Sequence, residues 1–191
     1  MTVDEAGRLV LVRHGETEWS RDHKHTSYTD LPLTETGAEQ ARALGKRLAG
    51  HEFAGVFVSP LLRARQTCEL AGFGARAKVL DDLHEWKYGE YEGLTTAEIR
   101  KSSPGWTVWN EGPRGGESPH EVGSRADRVI QNTRVNEGDV ALFAHGHMLR
   151  VIAARWIGLP ASGGARLRLE TATVSTLGYE REIRVILTWN A

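Results

Sequence analysis

Three short apolar runs in this chain, beginning at Leu9, Val56 and Val140, each lead to a basic or imidazole side chain. Aliphatic and β-branched runs of this length, bounded by polar residues, are typical of buried strands. A helix-like run follows each of them. Because open α/β sheets place their chemistry at strand ends, three such ends can converge on one anion. The side chains at these ends are Arg13, His14, Arg63 and His145.

The order of the remaining segments predicts an α/β fold. Strand-like and helix-like runs alternate up to about Gly158, which favours a mostly parallel sheet covered on both faces. In the last part of the chain, apolar and polar residues alternate with a period of two, which predicts an antiparallel portion of the sheet. We expect its strands at Arg166 to Leu169, Val174 to Tyr179 and Ile183 to Trp189, with a hairpin turn at Glu180-Arg181.

Four serine or threonine residues are placed to cap predicted helices, because their side chains can accept an N–H of the first turn. These residues are Thr34, Ser59, Thr95 and Ser118. A further helix is expected from Met148 to Ile157. The polar stretch from Glu18 to Leu33 is expected to form no element. The glycine- and proline-rich stretch from Ser102 to Gly116 is expected to fold back as a lid.

Length and composition limit the class of protein. The 191 residues, 40% of them hydrophobic, fit a single domain spanning residues 1–191. There are 24 basic against 25 acidic residues, so no overall charge favours nucleic acid. Cys68 is the only cysteine, which excludes an internal disulfide. The segment Met1 to Gly7 has no signal-peptide pattern and no run is long enough to span a membrane, so we expect a cytoplasmic protein.

Four motifs occur in order along the chain. They are Arg13-His-Gly-Glu-Thr17, Ser59-Pro-Leu-x-Arg-Ala-x-Gln-Thr67, Glu85-Trp-x-Tyr-Gly-x-x-Glu-Gly93 and Ala144-His-Gly-His147. Together they resemble the histidine phosphatase superfamily, also called phosphoglycerate mutase-like, over nearly the whole chain. The resemblance implies a three-layer αβα sandwich with a mostly parallel central sheet. It also implies a phosphomonoester hydrolase that acts through a phosphohistidine and uses no cofactor or metal.

The resemblance assigns roles to five residues. His14 matches the nucleophile, and nearby guanidinium groups would keep its ring neutral. Arg13 and Arg63 match the phosphate clamps, since a planar guanidinium can hold two oxygens. His145 matches the second histidine, which binds the phosphoryl group. Glu85 matches the general acid, and the aromatic residues beside it are expected to raise its pKa.

Several nearby residues are candidate substrate ligands. Where most family members have Trp-Asn and then Thr-Gly or Gln-Gly, this chain has Trp19-Ser20 and Thr26-Ser27, which puts the loop geometry in doubt. His147 would share a face with His145 if the backbone were extended, or would supply only its backbone amide. The residues predicted to bind substrate, besides the two arginines, are Ser20, Lys24, Thr26, Ser27 and His147.

Mutases of the superfamily carry a long insertion between the acid and the second histidine. Here the two are 145 − 85 = 60 positions apart, which favours a phosphatase. The motifs resemble fungal sedoheptulose-bisphosphatases and actinobacterial acid phosphatases. Lys24, His25 and Arg114 would favour a bisphosphorylated sugar such as sedoheptulose 1,7-bisphosphate if they face the pocket. A phosphoglycerate mutase and a broad-specificity acid phosphatase remain alternatives.

Two other classes also stay open. His145 and His147 could belong to a metal-dependent hydrolase, because paired histidines on a strand are a known style of metal site. The same fold could also serve as an inactive phosphate-binding module. The partners expected are a small phosphorylated substrate, neither nucleic acid nor membrane, and a second copy in a homodimer.

Overall fold

The computed structural model describes residues 7–133 and 138–191, which form a six-stranded sheet with helices on both faces. The N-terminal segment without a signal-peptide pattern lies outside the described residues, except for Gly7. The strands run in the order β3-β2-β4-β1-β5-β6. Strands β1 to β4 pair in parallel, whereas β5 pairs antiparallel with β1 and β6 antiparallel with β5. The strands are β1 Leu9–Arg13, β2 Phe53–Val58, β3 Ala77–Val79, β4 Asp139–Ala144, β5 Val174–Glu180 and β6 Ile183–Thr188.

Helices cover both faces of this sheet. They are α1 Glu18–Arg21, α2 Glu35–Arg47, α3 Leu62–Leu70, α4 Thr96–Ser102, α5 Pro119–Asn132 and α6 Gly146–Trp156. Successive side chains of a strand point to opposite faces, so Leu11 packs in the cluster that contains α5 and α6. Val12 packs in the cluster with α2 and α3. The predicted α/β class and three-layer sandwich are confirmed. None of the helices in the described part of the chain has the length and apolar character needed to cross a bilayer.

Three of the four predicted helix caps are present. The side chains of Thr34, Thr95 and Ser118 each accept a backbone N–H from the first turn of α2, α4 and α5. The prediction for Ser59 was wrong, because α3 begins only after Leu61. The backbone N–H of Ser59 donates instead to the carbonyl of Phe143 and prolongs the pairing of β2 with β4.

Two helix predictions near the strand ends need correction. The stretch after Thr17 contains the short helix α1, because Thr17 and Ser20 form a capping box. Helix α6 begins at Gly146, two residues earlier than predicted. Residue His145, with an extended backbone, takes the N-cap position. The residues of the Ala-His-Gly-His motif therefore turn directly from strand into helix.

The C-terminal part differs in two details. The segment predicted as a strand from Arg166 to Leu169 forms no strand in the structure, and the Leu169 carbonyl accepts a hydrogen bond from the Arg13 guanidinium. The hairpin turn lies one residue later than predicted, because Glu180 still pairs with Ile183. Arg181 takes a positive φ of 54° in that turn.

The stretch from Ser102 to Gly116 folds back against the core. Trp106 and Val108 are buried, and the indole N–H of Trp106 donates to the carbonyl of Gly112 at 2.8 Å. Trp109 is half-buried, and its ring lies 5.0 Å from the ring of His147. This stretch therefore backs residues of the candidate site.

Candidate active site

The carboxyl ends of β1, β2 and β4 lie side by side. The register pairs Arg13 with Ala144 and Val58 with Phe143. Beyond the strands, the backbone N–H of His14 donates to the carbonyl of Ala144 at 3.0 Å. The first residues after all three strands are therefore neighbours in space, as the sequence predicted.

A pocket of about 180 Å³ opens at this edge of the sheet. Arg63 and His145 are not among the lining residues, since they are buried, with exposed fractions of 1% and 0%. The ring of His145 lies 5.2 Å from the ring of His14, between centroids. The pocket is lined by Arg13, His14, Thr17, Ser20, His23, Lys24, His25, Thr26, Glu85, Tyr88, Gly146, His147, Arg150 and Leu169.

His14 is held in one orientation and one tautomer. Its Nδ1 lies 2.7 Å from the carbonyl oxygen of Gly15, which can only accept, so Nδ1 carries the proton. Burial, followed by the positive charges of Arg63 and Arg13, lowers the pKa of His14 well below 6.5. The ring is therefore neutral near pH 7, and Nε2 carries a free lone pair. A lone pair at this position suits a nucleophile.

The two arginines are fixed by backbone carbonyls. The terminal nitrogens of Arg63 donate to the carbonyls of Thr26, Ser27 and Thr29 at 3.2 to 3.3 Å. Arg13 donates to the carbonyl of Leu169. None of these contacts uses the Nε of either guanidinium.

Three buried side-chain nitrogens have no hydrogen-bond partner within the parts of the chain that the structure describes. They are Nε of Arg13, Nε of Arg63 and Nδ1 of His145. Buried polar atoms are normally paired, so three unpaired nitrogens near one ring call for an explanation. Arg63 and Arg13 lie close enough to His14 to lower its pKa, and the ring of His145 lies beside that of His14, so an anion bound at His14 is a suitable acceptor for these nitrogens.

Glu85 is buried at the N-terminus of helix α6. Its Oε1 accepts the backbone N–H groups of Trp86 at 2.8 Å and Met148 at 2.9 Å, and its Oε2 accepts that of His147 at 3.0 Å. A helix N-terminus stabilises negative charge. The carboxylate also lines the pocket that contains His14, so it is placed to exchange a proton with a bound molecule.

His147 contributes both its backbone and its side chain. Its backbone N–H holds Glu85, and its Nδ1 lies 2.6 Å from the hydroxyl of Tyr88. Burial lowers the pKa of His147 well below 6.5 and raises that of Tyr88 well above 10. The neutral tyrosine therefore donates to Nδ1, which leaves an N–H on Nε2 of His147.

The helical turn at His145 sends the two histidine rings into different surroundings. His145 contacts Ser59 and His14, whereas His147 contacts Tyr88 and Trp109. Across residues 7–133 and 138–191, no group of three or more His, Cys, Asp or Glu side chains is arranged to hold a metal ion.

The predicted substrate ligands divide into two groups. Lys24, Thr26 and Ser20 line the pocket, although the hydroxyl of Ser20 already donates to the carbonyl of Thr17 at 3.0 Å. Ser27 does not line the pocket: it is 2% exposed, and its hydroxyl donates to the carboxylate of Glu92. Neither Thr26 nor Ser27 has a positive φ, so the absence of glycine does not strain this loop.

The condition that Arg114 faces the pocket, on which part of the bisphosphate argument depended, is not met. Its side chain is 72% exposed and lies 4.0 Å from the carboxylate of Glu90. His25 does line the pocket, and burial lowers its pKa to about 4.

Arg150 is a pocket residue that the sequence analysis missed. Its guanidinium lies over the ring of Trp109, 4.4 Å from the centroid, and burial lowers its pKa to about 10. It therefore remains charged near pH 7. The available signal was a single basic residue in an otherwise apolar stretch, one turn after His147.

The chain belongs to the histidine phosphatase superfamily (branch 1), whose family model matches residues 9–191. It is a phosphatase of that superfamily. Among known proteins it is similar to an acid phosphatase of Mycobacterium tuberculosis, with 41% identity over 93% of this chain and 89% of the relative. A sedoheptulose 1,7-bisphosphatase of Saccharomyces cerevisiae is 40% identical over 86% of this chain and 71% of its own length.

The comparison with solved structures agrees with this family. A characterised open reading frame of M. tuberculosis has 39% identity and a TM-score of 0.91, covering 96% of this chain and 97% of that chain. By sequence, the chain is also similar to a phosphoglycerate mutase of Gloeobacter violaceus, with 38% identity over 75% of this chain and 73% of the relative. The resemblance seen in the motifs is confirmed.

Proposed function

We propose that this phosphatase hydrolyses phosphomonoesters through a phosphohistidine on His14. The observation that carries the proposal is the set of three buried nitrogens, on Arg13, Arg63 and His145, that have no hydrogen-bond partner among the described residues and lie around a neutral His14. A phosphoryl group supplies negatively charged oxygens, which are the partners that these nitrogens lack. The site would stabilise the transferred group mainly by position and charge.

The reaction has two displacements. In the first, Nε2 of His14 attacks phosphorus, the bond to the leaving oxygen breaks, and Glu85 gives that oxygen a proton. In the second, Glu85 takes a proton from a water molecule that attacks phosphorus. The bond between phosphorus and His14 then breaks, and the electron pair returns to Nε2.

A chemical trap tests the covalent step. Rapid quenching with labelled substrate should yield an acid-labile, alkali-stable adduct on the wild-type chain. The variant His14→Ala should form none. An adduct that persists at full yield in this variant would show that another residue is the nucleophile, and absence of turnover in the wild type would favour a binding module.

For the substrate, we propose a small sugar phosphate with a second anionic group, with sedoheptulose 1,7-bisphosphate favoured. Lys24 and Arg150 add two positive charges to the pocket beyond the clamps on the transferred phosphate. The similarity to the yeast bisphosphatase supports the same class. A broad-specificity acid phosphatase is the second candidate, favoured by the similarity to the mycobacterial enzyme.

A substrate panel separates these candidates. The bisphosphate should exceed its monophosphate in kcat/KM by about 10-fold or more, since one charged hydrogen bond contributes roughly 1.5–3 kcal/mol. Lys24→Met and Arg150→Met should reduce that ratio, and Arg114→Met is the matched control because its side chain is exposed. Equal turnover of sugar phosphates, nucleotides and phosphoglycerates would indicate broad specificity, and isomerised phosphoglycerate would indicate a mutase.

We also propose a cytoplasmic setting. The only cysteine, Cys68, is buried, and burial raises its pKa to about 12, which suits a structural thiol kept reduced. A homodimer stays a prediction, which sedimentation analysis would test.

A further inference from the structure

The side chain of Ser59 lies in direct contact with His145. Its hydroxyl oxygen is 2.7 Å from Nε2 of the ring, and both residues are 0% exposed. Ser59 reaches this position because it extends strand β2 and caps no helix. Its hydroxyl is therefore available to the histidine.

The direction of this hydrogen bond follows from the other partners of the hydroxyl. The oxygen of Ser59 already accepts the backbone N–H of Leu61 at 3.3 Å. A hydroxyl has one proton to donate, and Nε2 of His145 is the acceptor beside it. If Nε2 donated instead, the hydroxyl proton would be buried without an acceptor, which costs about 1–3 kcal/mol.

The ring of His145 has a single proton to place. Burial, with the charge of Arg63 next, lowers its pKa well below 6.5, so the ring is neutral near pH 7. Accepting from Ser59 at Nε2 puts that proton on Nδ1. This is the same atom that is buried without a hydrogen-bond partner in the part of the chain that the structure describes.

We propose that Ser59 is a positioning residue that holds His145 in the tautomer with its proton on Nδ1, so that this N–H faces the phosphoryl group. The inference rests on the proposed function. As the bond between phosphorus and the leaving oxygen breaks and the bond to Nε2 of His14 forms, the other phosphoryl oxygens stay negatively charged. An N–H on Nδ1 stabilises that charge, whereas a lone pair there would repel it. Ser59 itself neither gains nor loses a proton.

The tautomer can be observed in the resting enzyme. Long-range ¹H–¹⁵N correlation spectra of histidine-labelled protein distinguish a protonated from an unprotonated ring nitrogen, and the variant His145→Gln assigns the signals. The wild type should show His145 protonated on Nδ1 and unprotonated on Nε2. The opposite pattern, or a charged ring near pH 7, would overturn the proposal.

Variants of Ser59 test its part in the reaction. Ser59→Ala should shift His145 toward a mixture of tautomers and lower kcat by about 10- to 100-fold. This is less than the roughly 10²- to 10³-fold for complete loss of a transition-state donor, because part of the population keeps the N–H on Nδ1. KM should change much less. Ser59→Thr keeps a hydroxyl and should recover both the tautomer and much of kcat.

The control is Ser175→Ala, which removes a hydroxyl that is also fully buried and that accepts the backbone N–H of Asn190 at 2.9 Å. It should alter stability without moving the signals of His145. An unchanged tautomer and unchanged kcat in Ser59→Ala would refute the role of Ser59. Absence of turnover in a wild type with the expected tautomer would instead contradict the proposed function.

Discussion

Gly146 lies directly against the guanidinium of Arg13. A methyl group at Gly146 would lie 3.2 Å from both Nε and Cζ of Arg13, closer than side chains normally pack. We therefore expect Gly146→Ala to displace Arg13 and lower kcat/KM by about 10-fold or more, because small misplacements of positioning groups have large effects on rate. Steady-state kinetics on p-nitrophenyl phosphate would measure this.

The matched control is Gly123→Ala in helix α5. A methyl group there would meet Ala161 at 3.4 Å, an ordinary contact. Alanine also favours a helix over glycine by roughly 1 kcal/mol, so this variant should keep its activity and its stability. Equal kinetics in the two variants would show that the contact with Arg13 is unimportant.

Glu85→Gln tests the general acid. The variant cannot protonate the leaving oxygen, so alkyl phosphates should lose roughly 10²- to 10⁴-fold in kcat. The loss on p-nitrophenyl phosphate should be much smaller, because that leaving group hardly needs a proton. Comparable losses on both substrates would show that Glu85 is not the general acid. The loss would then come from its hydrogen bonds to the start of helix α6, which hold the site in place.

Glu92 supports the loop that fixes Arg63. Its carboxylate accepts from the backbone N–H groups of Ser27 and Thr29, and the carbonyls of those two residues bind the Arg63 guanidinium. Glu92→Gln replaces one acceptor with an amide donor. We expect the inhibition constant of inorganic phosphate to rise by about 10-fold.

Glu90→Gln is the control for Glu92, because the side chain of Glu90 is 63% exposed and that variant should behave as the wild type. Phosphate inhibition and thermal unfolding of both variants, measured side by side, separate the effect on binding from the effect on stability. Unaltered phosphate inhibition in Glu92→Gln would contradict the link to Arg63.

Buried histidines should make the fold less stable in acid. Burial lowers the pKa of His25 to about 4 against the opposing charge of Glu92, whereas the unfolded chain titrates near 6.5. The unfolded state therefore binds more protons between these values, and stability falls as pH decreases through that window. His25 alone should cost about 2 kcal/mol between about pH 7 and about pH 5.

Urea unfolding at the two pH values would measure that loss, and His25→Gln should show a smaller one. The pKa of His14, His145 and His147 is also lowered by burial, so they act in the same direction. A free energy of unfolding that does not change with pH would contradict this account.

The sequence predicted the strand and helix order because each signal is local. The apolar run at Leu9 and the capping boxes at Thr95 and Ser118 act within a few residues of themselves. The predicted cap at Ser59 is absent because a non-local hydrogen bond, from the backbone N–H of Ser59 to strand β4, prolongs strand β2. The strand predicted from Arg166 to Leu169 is absent for a similar reason. The carbonyl of Leu169 accepts a hydrogen bond from the distant Arg13.

The sequence by itself determined the fold class, the family, and the placement of Arg13, Arg63 and His145 near His14, because these follow from strand ends and motif order. Only the tertiary structure decided the direction of the individual side chains. Thr26 lines the pocket while its neighbour Ser27 binds Glu92, and Arg150 lines the pocket while Arg114 lies on the surface. Whether a polar side chain faces a substrate depends on which distant segment supplies its hydrogen-bond partners, and that information becomes available only when those segments pack together.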